Sequence, residues 1–309
     1  MATPAYMRLL PGQTLATVGR LELIARGVVE GFVAGKHRSP HKGFSVEFAE
    51  HRQYVPGDDL RSLDWRVLAR KDRYYVKQYV EETNLRATLL LDASGSMAYC
   101  GERAAELEGR RLSKFAYAQH LAAVLTYLLV GQQDAVGLVT FDTRRRCYQP
   151  ARCRASQVRV ILEEVERTAP GGETALAEIL HDVAERVPRR GLVIVLSDLF
   201  DDATAILNAL HHFRHRRHEV LLFHILAEEE LSFPFEGFTR FRDLERPGER
   251  YDVDPHTIRA SYVDTVHRFL RTIESGCGRM KIDYVPMNTQ TPFDRALADY
   301  LGRRRAATH

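Results

Sequence analysis

The chain has 309 residues, 45% of them hydrophobic, which is enough to bury a large core and enough length for about two domains. That composition excludes a disordered or low-complexity protein. Basic and acidic residues nearly cancel, 44 against 41, and the net charge of +3 gives no footing for a nucleic-acid or membrane-surface class.

In chain order, Met1 to Pro11 lacks the basic-then-apolar shape of a signal peptide. Residues 13–34 predict a helix, with Leu15, Val18, Leu21, Ile24 and Val28 on a broad apolar face. Residues 36–85 carry short extended pieces, Phe44 to Phe48 and Tyr74 to Val80. Organisation shifts near residue 85, so the expected division is 1–85, a smaller helix-plus-strand element, and 86–309, an α/β domain. Within the latter, apolar strands at 87–91, 135–140, 192–197, 219–226 and 280–285 alternate with helices near 111–130, 155–167, 175–187, 202–214, 255–275 and 292–304. That alternation predicts a doubly wound, mostly parallel sheet.

Residues 227–254 mix Pro and Gly with short extended pieces and predict a hairpin insertion, which leaves the carboxyl end of the 219–226 strand and so is placed to frame that face. His211 to His218 reads as a solvated basic helix end, and Arg303 to Arg305 as a frayed tail. The longest apolar stretch, near Leu121 to Val130, falls short of the about 20 residues a bilayer span needs. A cytoplasmic protein with no membrane span is expected. Cys100, Cys147, Cys153 and Cys277 form no Cys-x-x-Cys pair and no zinc spacing, so they are expected to be reduced thiols.

The chemistry gathers where apolar runs end. Ala87 to Leu91 delivers Asp92-Ala93-Ser94-Gly95-Ser96, an acid and two hydroxyls at alternate positions of one loop. Oxygen donors suit a hard cation such as Mg²⁺, which wants octahedral geometry and seldom takes all six positions from one protein. Thr174 follows Pro170-Gly171-Gly172-Glu173 at the start of a helix and is a candidate fourth ligand. Gly191 to Ser197 is a second buried strand ending in an acid, Asp198. In open α/β sheets ligands collect outside the carboxyl ends of strands, where Asp92 and Asp198 are expected to converge. A plainer alternative is helix capping by Ser94, Ser96, Thr174 and Asp198, with Asp201 and Asp202 beside them, since Ser, Thr and Asp are favoured N-caps.

The ordered set Asp92, Ser94, Ser96, Thr174, Asp198 resembles the metal-ion-dependent adhesion site of von Willebrand factor A domains. The resemblance implies Mg²⁺ (or Mn²⁺) bound directly by Ser94, Ser96 and Thr174, with Asp92 and Asp198 partly water-mediated. The remaining metal position would take an Asp or Glu carboxylate from a partner protein. A second segment, Glu47 to Arg70 with Pro56-Gly57-Asp58-Asp59 and Trp65, resembles the signature of the DUF58 family, as do Phe241-Arg-Asp-Leu-Glu245, Val253-Asp-Pro255 and Pro292 to Leu301. Such proteins are bacterial and associated with MoxR-type AAA+ ATPases, so the implied partner is such an ATPase or its client. Around Trp65, the residues Arg52, Asp58, Asp59, Arg61, Asp64, Arg66 and Arg70 are read as a mixed-charge network pinning the N-terminal element, the alternative being a partner surface.

Three function classes follow. A metal-dependent interaction module without enzymatic activity is expected. A Mg²⁺-dependent hydrolase or phosphatase using Asp92 or Ser94 as nucleophile is the alternative, and it lacks both a second nearby acid and a Gly-x-Ser-x-Gly elbow. A nucleic-acid binder has no matching motif.

Overall fold

The apolar runs after residue 85 assemble into a six-stranded sheet whose two faces are both covered. The computed structural model describes residues 9–10, 46–53, 67, 74–81, 85–187 and 190–308. The expected 13–34 helix and the network around Trp65 lie outside the described residues. The chain divides into two units, Val33–Asn84 and Met1–Phe32 with Leu85–His309. In the smaller unit β1 (Val46–Gln53) pairs antiparallel with β2 (Tyr75–Glu81), with a register shift between Phe48 and Glu50.

In the larger unit β3 (Arg86–Asp92) leads through the short pair β4 (Glu106–Leu107) and β5 (Arg110–Arg111) into helix α1 (Lys114–Gly131). Then follow β6 (Ala135–Phe141), β7 (Arg145–Arg152), α2 (Ala155–Arg167), α3 (Leu176–Arg186), β8 (Leu192–Ser197), α4 (Ala203–His215) and β9 (Glu219–Leu226). After β9 come a single helical turn or so, α5 (Glu228–Ser232), and the hairpin β10 (Thr239–Arg242) and β11 (Arg250–Val253). The chain closes with α6 (Pro255–Met280), β12 (Asp283–Asn288) and α7 (Phe293–Thr308).

The sheet order is β12-β9-β8-β3-β6-β7, parallel except for the antiparallel edge strand β7. This is the expected doubly wound, mostly parallel α/β arrangement. Because side chains alternate across a strand, each central strand feeds two cores. Leu89, Leu91, Ile194, Leu196, Leu221 and Phe223 pack on one face with α1, α2 and α7. Leu90, Val193, Val195, Val220 and Leu222 pack on the other with α3, α4 and α6. Helix α1 is buried almost all round, as its Ala- and Leu-rich sequence requires.

Three expectations are corrected. The last strand lies at Asp283–Asn288 rather than 280–285, because α6 runs through Gly276 and Gly278 to Met280 and ends only where Lys281 turns left-handed at φ 55°. Gly276 is no terminator; an added Cβ would meet Leu207 Cδ2 at 2.4 Å, so the glycine lets α6 approach α4. Arg303 to Arg305 is helical rather than frayed, and Arg304 donates to Asp283 at 2.6 Å. His218 is buried against Phe213 rather than solvated, although His212, Arg214 and His215 do form a basic last turn of α4. The four cysteines are free, and no helix among the described residues is long and apolar enough to cross a membrane.

Strand β3 is fixed at its entry by Asp134, which is buried and accepts from the Leu85 N–H at 3.1 Å through Oδ1, while Oδ2 has no hydrogen-bond partner. Burial pushes this carboxyl from 3.8 up to about 7. The folded acid therefore holds its proton more tightly than the unfolded one, so its contribution is full below the unfolded value and is lost as pH rises through about 7. The stability of Asp134→Asn, which keeps an acceptor for Leu85, relative to wild type should rise by on the order of 1–3 kcal/mol between about pH 5 and about pH 8. Urea unfolding at the two pH values checks this; a difference that does not change with pH contradicts it.

Candidate functional site

The chain runs β3, β6, β7 outward on one side and then returns to build β8, β9 and β12 on the other. The order therefore reverses between β3 and β8, and a crevice opens at the carboxyl ends of strands at such a point. Asp92 ends β3 and Asp198 immediately follows β8, so both acids stand at this switch point.

Each acid is fixed by its own strand end. Asp92 Oδ1 accepts from the Ser94 N–H at 2.9 Å, an Asx-type turn that folds the chain out of the strand. Its Oδ2 accepts from the Ser197 hydroxyl at 2.5 Å. Ser197 Oγ in turn accepts from Leu199 N–H at 2.9 Å, so one hydroxyl couples the ends of β3 and β8. The Ser94 and Ser96 hydroxyls lie 3.1 Å apart. The second loop is tied to the first through Gly95 N–H to Gly172 O at 2.8 Å and Gly171 N–H to Ala93 O at 2.9 Å. Arg146 clamps it from below, donating to Ala169 O at 2.6 Å and Gly171 O at 2.5 Å while pairing with Asp142. Gly172 sits at φ 85°, a conformation that favours glycine, in the turn that leads to Thr174.

Two further residues were not expected. Lys114, the first residue of α1, is 2% exposed and donates to Asp198 Oδ2 at 2.7 Å and to Glu230 Oε1 of α5 at 2.5 Å. A cation in the first helical turn opposes the helix dipole, so local preference does not explain it; its partners do. Glu245, in the turn between β10 and β11, accepts from the Thr174 N–H at 3.2 Å. The sequence offered only an ordinary lysine and, for Glu245, the Phe241 to Glu245 stretch of the family resemblance, to which no site role was given.

The electrostatics follow. Burial raises Asp92 to about 7, helped by repulsion from Asp198 and opposed by the Ser197 and Ser94 hydrogen bonds. Burial pushes Asp198 up too, yet the Lys114 ammonium outweighs it and holds the carboxyl below its ordinary value. For Lys114, burial is likewise overcome by Asp198 and Glu230, and its pKa rises. Burial takes His224 down to about 4, leaving it neutral, so Nε2 donates to the Asp198 carbonyl at 2.9 Å and Nδ1 accepts from Tyr284 at 2.8 Å. Burial raises Glu245, against the Thr174 N–H and the Ser96 hydroxyl, which favour its charged form.

Capping does not account for the predicted residues. Ser94 precedes a turn of 3₁₀ helix, Gly95–Ala98, without a side-chain cap bond. Thr174 is not the N-cap of α3, and its Oγ1 is buried with no hydrogen-bond partner. Asp198 does not cap α4; Asp202 does, accepting from Ala205 N–H at 2.8 Å, and Asp201 accepts from Ala177 N–H at the start of α3 at 3.1 Å. The capping alternative therefore applies to Asp201 and Asp202 alone.

Asp92, Ser94, Ser96, Thr174 and Asp198 are thus gathered at one end of the sheet. Among the described residues no three His, Cys, Asp or Glu side chains cluster as a metal site, so any cation here would rely on hydroxyls. The donor set fits a hard divalent ion. Oxygens on adjacent corners of an octahedron with about 2.0–2.1 Å bonds sit about 3 Å apart, close to the Ser94–Ser96 spacing of 3.1 Å. Thr174 Oγ1 and Glu245 Oε1 are buried without partners, a state that costs about 1–3 kcal/mol each unless something satisfies them.

Residues 50–269 match the family described as "Protein of unknown function DUF58", and the chain belongs to that family. It is 29% identical over 273 residues to uncharacterised proteins of Mycobacterium tuberculosis and Mycobacterium bovis, covering 85% of this chain and 82% of theirs. Among solved structures it is similar to the conserved hypothetical protein BatB from Bacteroides thetaiotaomicron, at 18% identity and TM-score 0.44, over 71% of this chain and 98% of that one. It is also similar to the SpRpn10 VWA domain, at 11% identity and TM-score 0.38, over 69% and 94%.

Removing one member of a buried ion pair strands the other charge at a cost of about 3–5 kcal/mol. Lys114→Met should therefore destabilise by about that amount, since Asp198 is left buried with its charge uncompensated. Denaturant unfolding checks it; a loss below about 1 kcal/mol would mean that the pair carries little.

Proposed function

We propose that this chain is a protein-interaction module that meets its partner through a divalent cation, Mg²⁺ or Mn²⁺. The observation that carries the reading is Thr174 Oγ1, a buried hydroxyl without a hydrogen-bond partner, on the loop whose Gly172 carbonyl accepts from Gly95, the residue between Ser94 and Ser96. Ser94, Ser96 and Thr174 would hold the ion directly, and Asp92 and Asp198 partly through water, as in the adhesion site that the five residues resemble. When bound, the ion supplies a Lewis-acidic position for an Asp or Glu carboxylate of a partner.

The chain's own residues orient and balance charge. Ser197 and the Ser94 N–H fix the Asp92 carboxylate, Lys114 fixes that of Asp198, and Arg146 holds the loop that presents Thr174. The proposed partner is a MoxR-type AAA+ ATPase, or a client presented to one, in the cytoplasm; this rests on family likeness. We propose no catalysis. Ser94 Oγ is bonded to Ser96 rather than to a base, Asp92 has both oxygens engaged, and His224 is occupied by Tyr284 and the Asp198 carbonyl. The hydrolase alternative, with Asp92 or Ser94 as nucleophile, has correspondingly less support.

Binding that favours the native state stabilises it by mass action, about 2.7 kcal/mol at a hundred times Kd, or about 5–10 °C for a domain of this size. Saturating Mg²⁺ or Mn²⁺ should raise Tm by that order for wild type and not for Asp92→Ala; equal shifts remove the metal from the account. In pull-downs with a MoxR-type ATPase, Thr174→Ala and EDTA should each weaken capture and should not add, because both remove the same bridge. Retention unchanged by either would move docking elsewhere.

A further inference from the structure

We propose that Glu245 is this chain's own carboxylate ligand for the cation, taking the position otherwise offered to a partner, so that the interaction face is closed until the 243–246 turn lifts. The inference rests on the cation reading above. Glu245 reaches the site from the insertion: one oxygen accepts from the Thr174 N–H at 3.2 Å and the other, Oε1, is buried without a hydrogen-bond partner, as is the Oγ1 of that same threonine. A carboxylate with a stranded oxygen next to a stranded hydroxyl is the arrangement a shared cation satisfies.

The turn is built to bring it there. Asp243 Oδ1 accepts from the Glu245 and Arg246 N–H groups at 2.8 and 3.0 Å, which folds the chain back so that Leu244 lies against the serines' loop. The approach is so close that a Cβ on Gly95 would meet the Leu244 carbonyl oxygen at 2.2 Å, backbone against backbone. The hairpin's root is anchored, with Phe233, Phe235 and Phe241 packed together, Tyr262 of α6 against Phe233, and Arg259 donating to the Phe233 and Phe235 carbonyls. Its tip is held to the second loop by an exposed pair, Arg246 with Glu173 at 3.0 Å, and such pairs are weak. A firm root and a weakly held tip suit a segment that a partner's acid displaces.

Glu245→Ala removes the ligand. Gly95→Ala keeps the identity of every donor but forces the serines' loop and the turn apart, so it tests the same idea without altering Glu245. Both are compared with wild type by calorimetric titration of Mn²⁺ and by water-proton relaxation of the Mn²⁺ complex, with acetate as the probe carboxylate. The expected result is Mn²⁺ binding weakened by about tenfold or more in both variants, one more metal-bound water than in wild type, and loss of that water on adding acetate to the variants only. Wild-type affinity and an unchanged water number in both variants overturn the role of Glu245 while leaving the cation site standing. No Mn²⁺ binding by wild type overturns the site and the inference together.

Discussion

The buried pair between Lys114 and Asp198 is the constraint on which the site depends. Two acids at neighbouring strand ends repel each other, and burial penalises both charges. Lys114 resolves half of that conflict by holding Asp198 ionised, and the acid it leaves uncompensated, Asp92, is the one whose pKa rises to about 7. The same ammonium reaches Glu230, so one side chain ties the start of α1 to β8 and to the segment that carries the hairpin insertion. Desolvating a lysine is expensive, and its position at a helix N-terminus adds to the cost. The return is an acidic cluster whose geometry is fixed before any ligand arrives.

In that cluster two acids, Asp198 and Glu230, share the Lys114 ammonium. The cluster's position follows from topology. Reversal of strand order between β3 and β8 brings their carboxyl ends together, and a long insertion with its own hairpin leaves β9, next to β8, on the same edge of the sheet. The loop carrying Thr174 enters from a connection that follows the edge strand β7 and α2. Three separate stretches of chain thereby supply hydroxyls and acids to one place, and a fourth supplies Glu245.

Most of the sheet was legible because its central strands are continuous apolar runs, the signature of strands buried on both faces. The edge strand β7 was not, since Arg145–Arg152 alternates half-buried and exposed residues rich in arginine and gives no apolar run to find. The end of α6 lies past the expected 275, since Gly276 does not break the helix but serves a close helix contact. At the site, the five predicted oxygens lie in short segments adjoining strong elements, so the local pattern carried them. Lys114 and Glu245 act through contacts 84 and 71 residues distant in sequence, and nothing local marks a lysine as buried or a turn glutamate as site-facing. Those contacts exist only once the fold is made.

The central claim is that the hydroxyls of Ser94, Ser96 and Thr174 hold a divalent cation at the switch point. Anomalous diffraction from crystals grown with Mn²⁺ tests it most directly. The account predicts a manganese peak bounded by those three hydroxyls, with Lys114 still paired to Asp198. Well-ordered crystals with no anomalous density there, at a Mn²⁺ concentration that saturates an exposed carboxylate site, would contradict it.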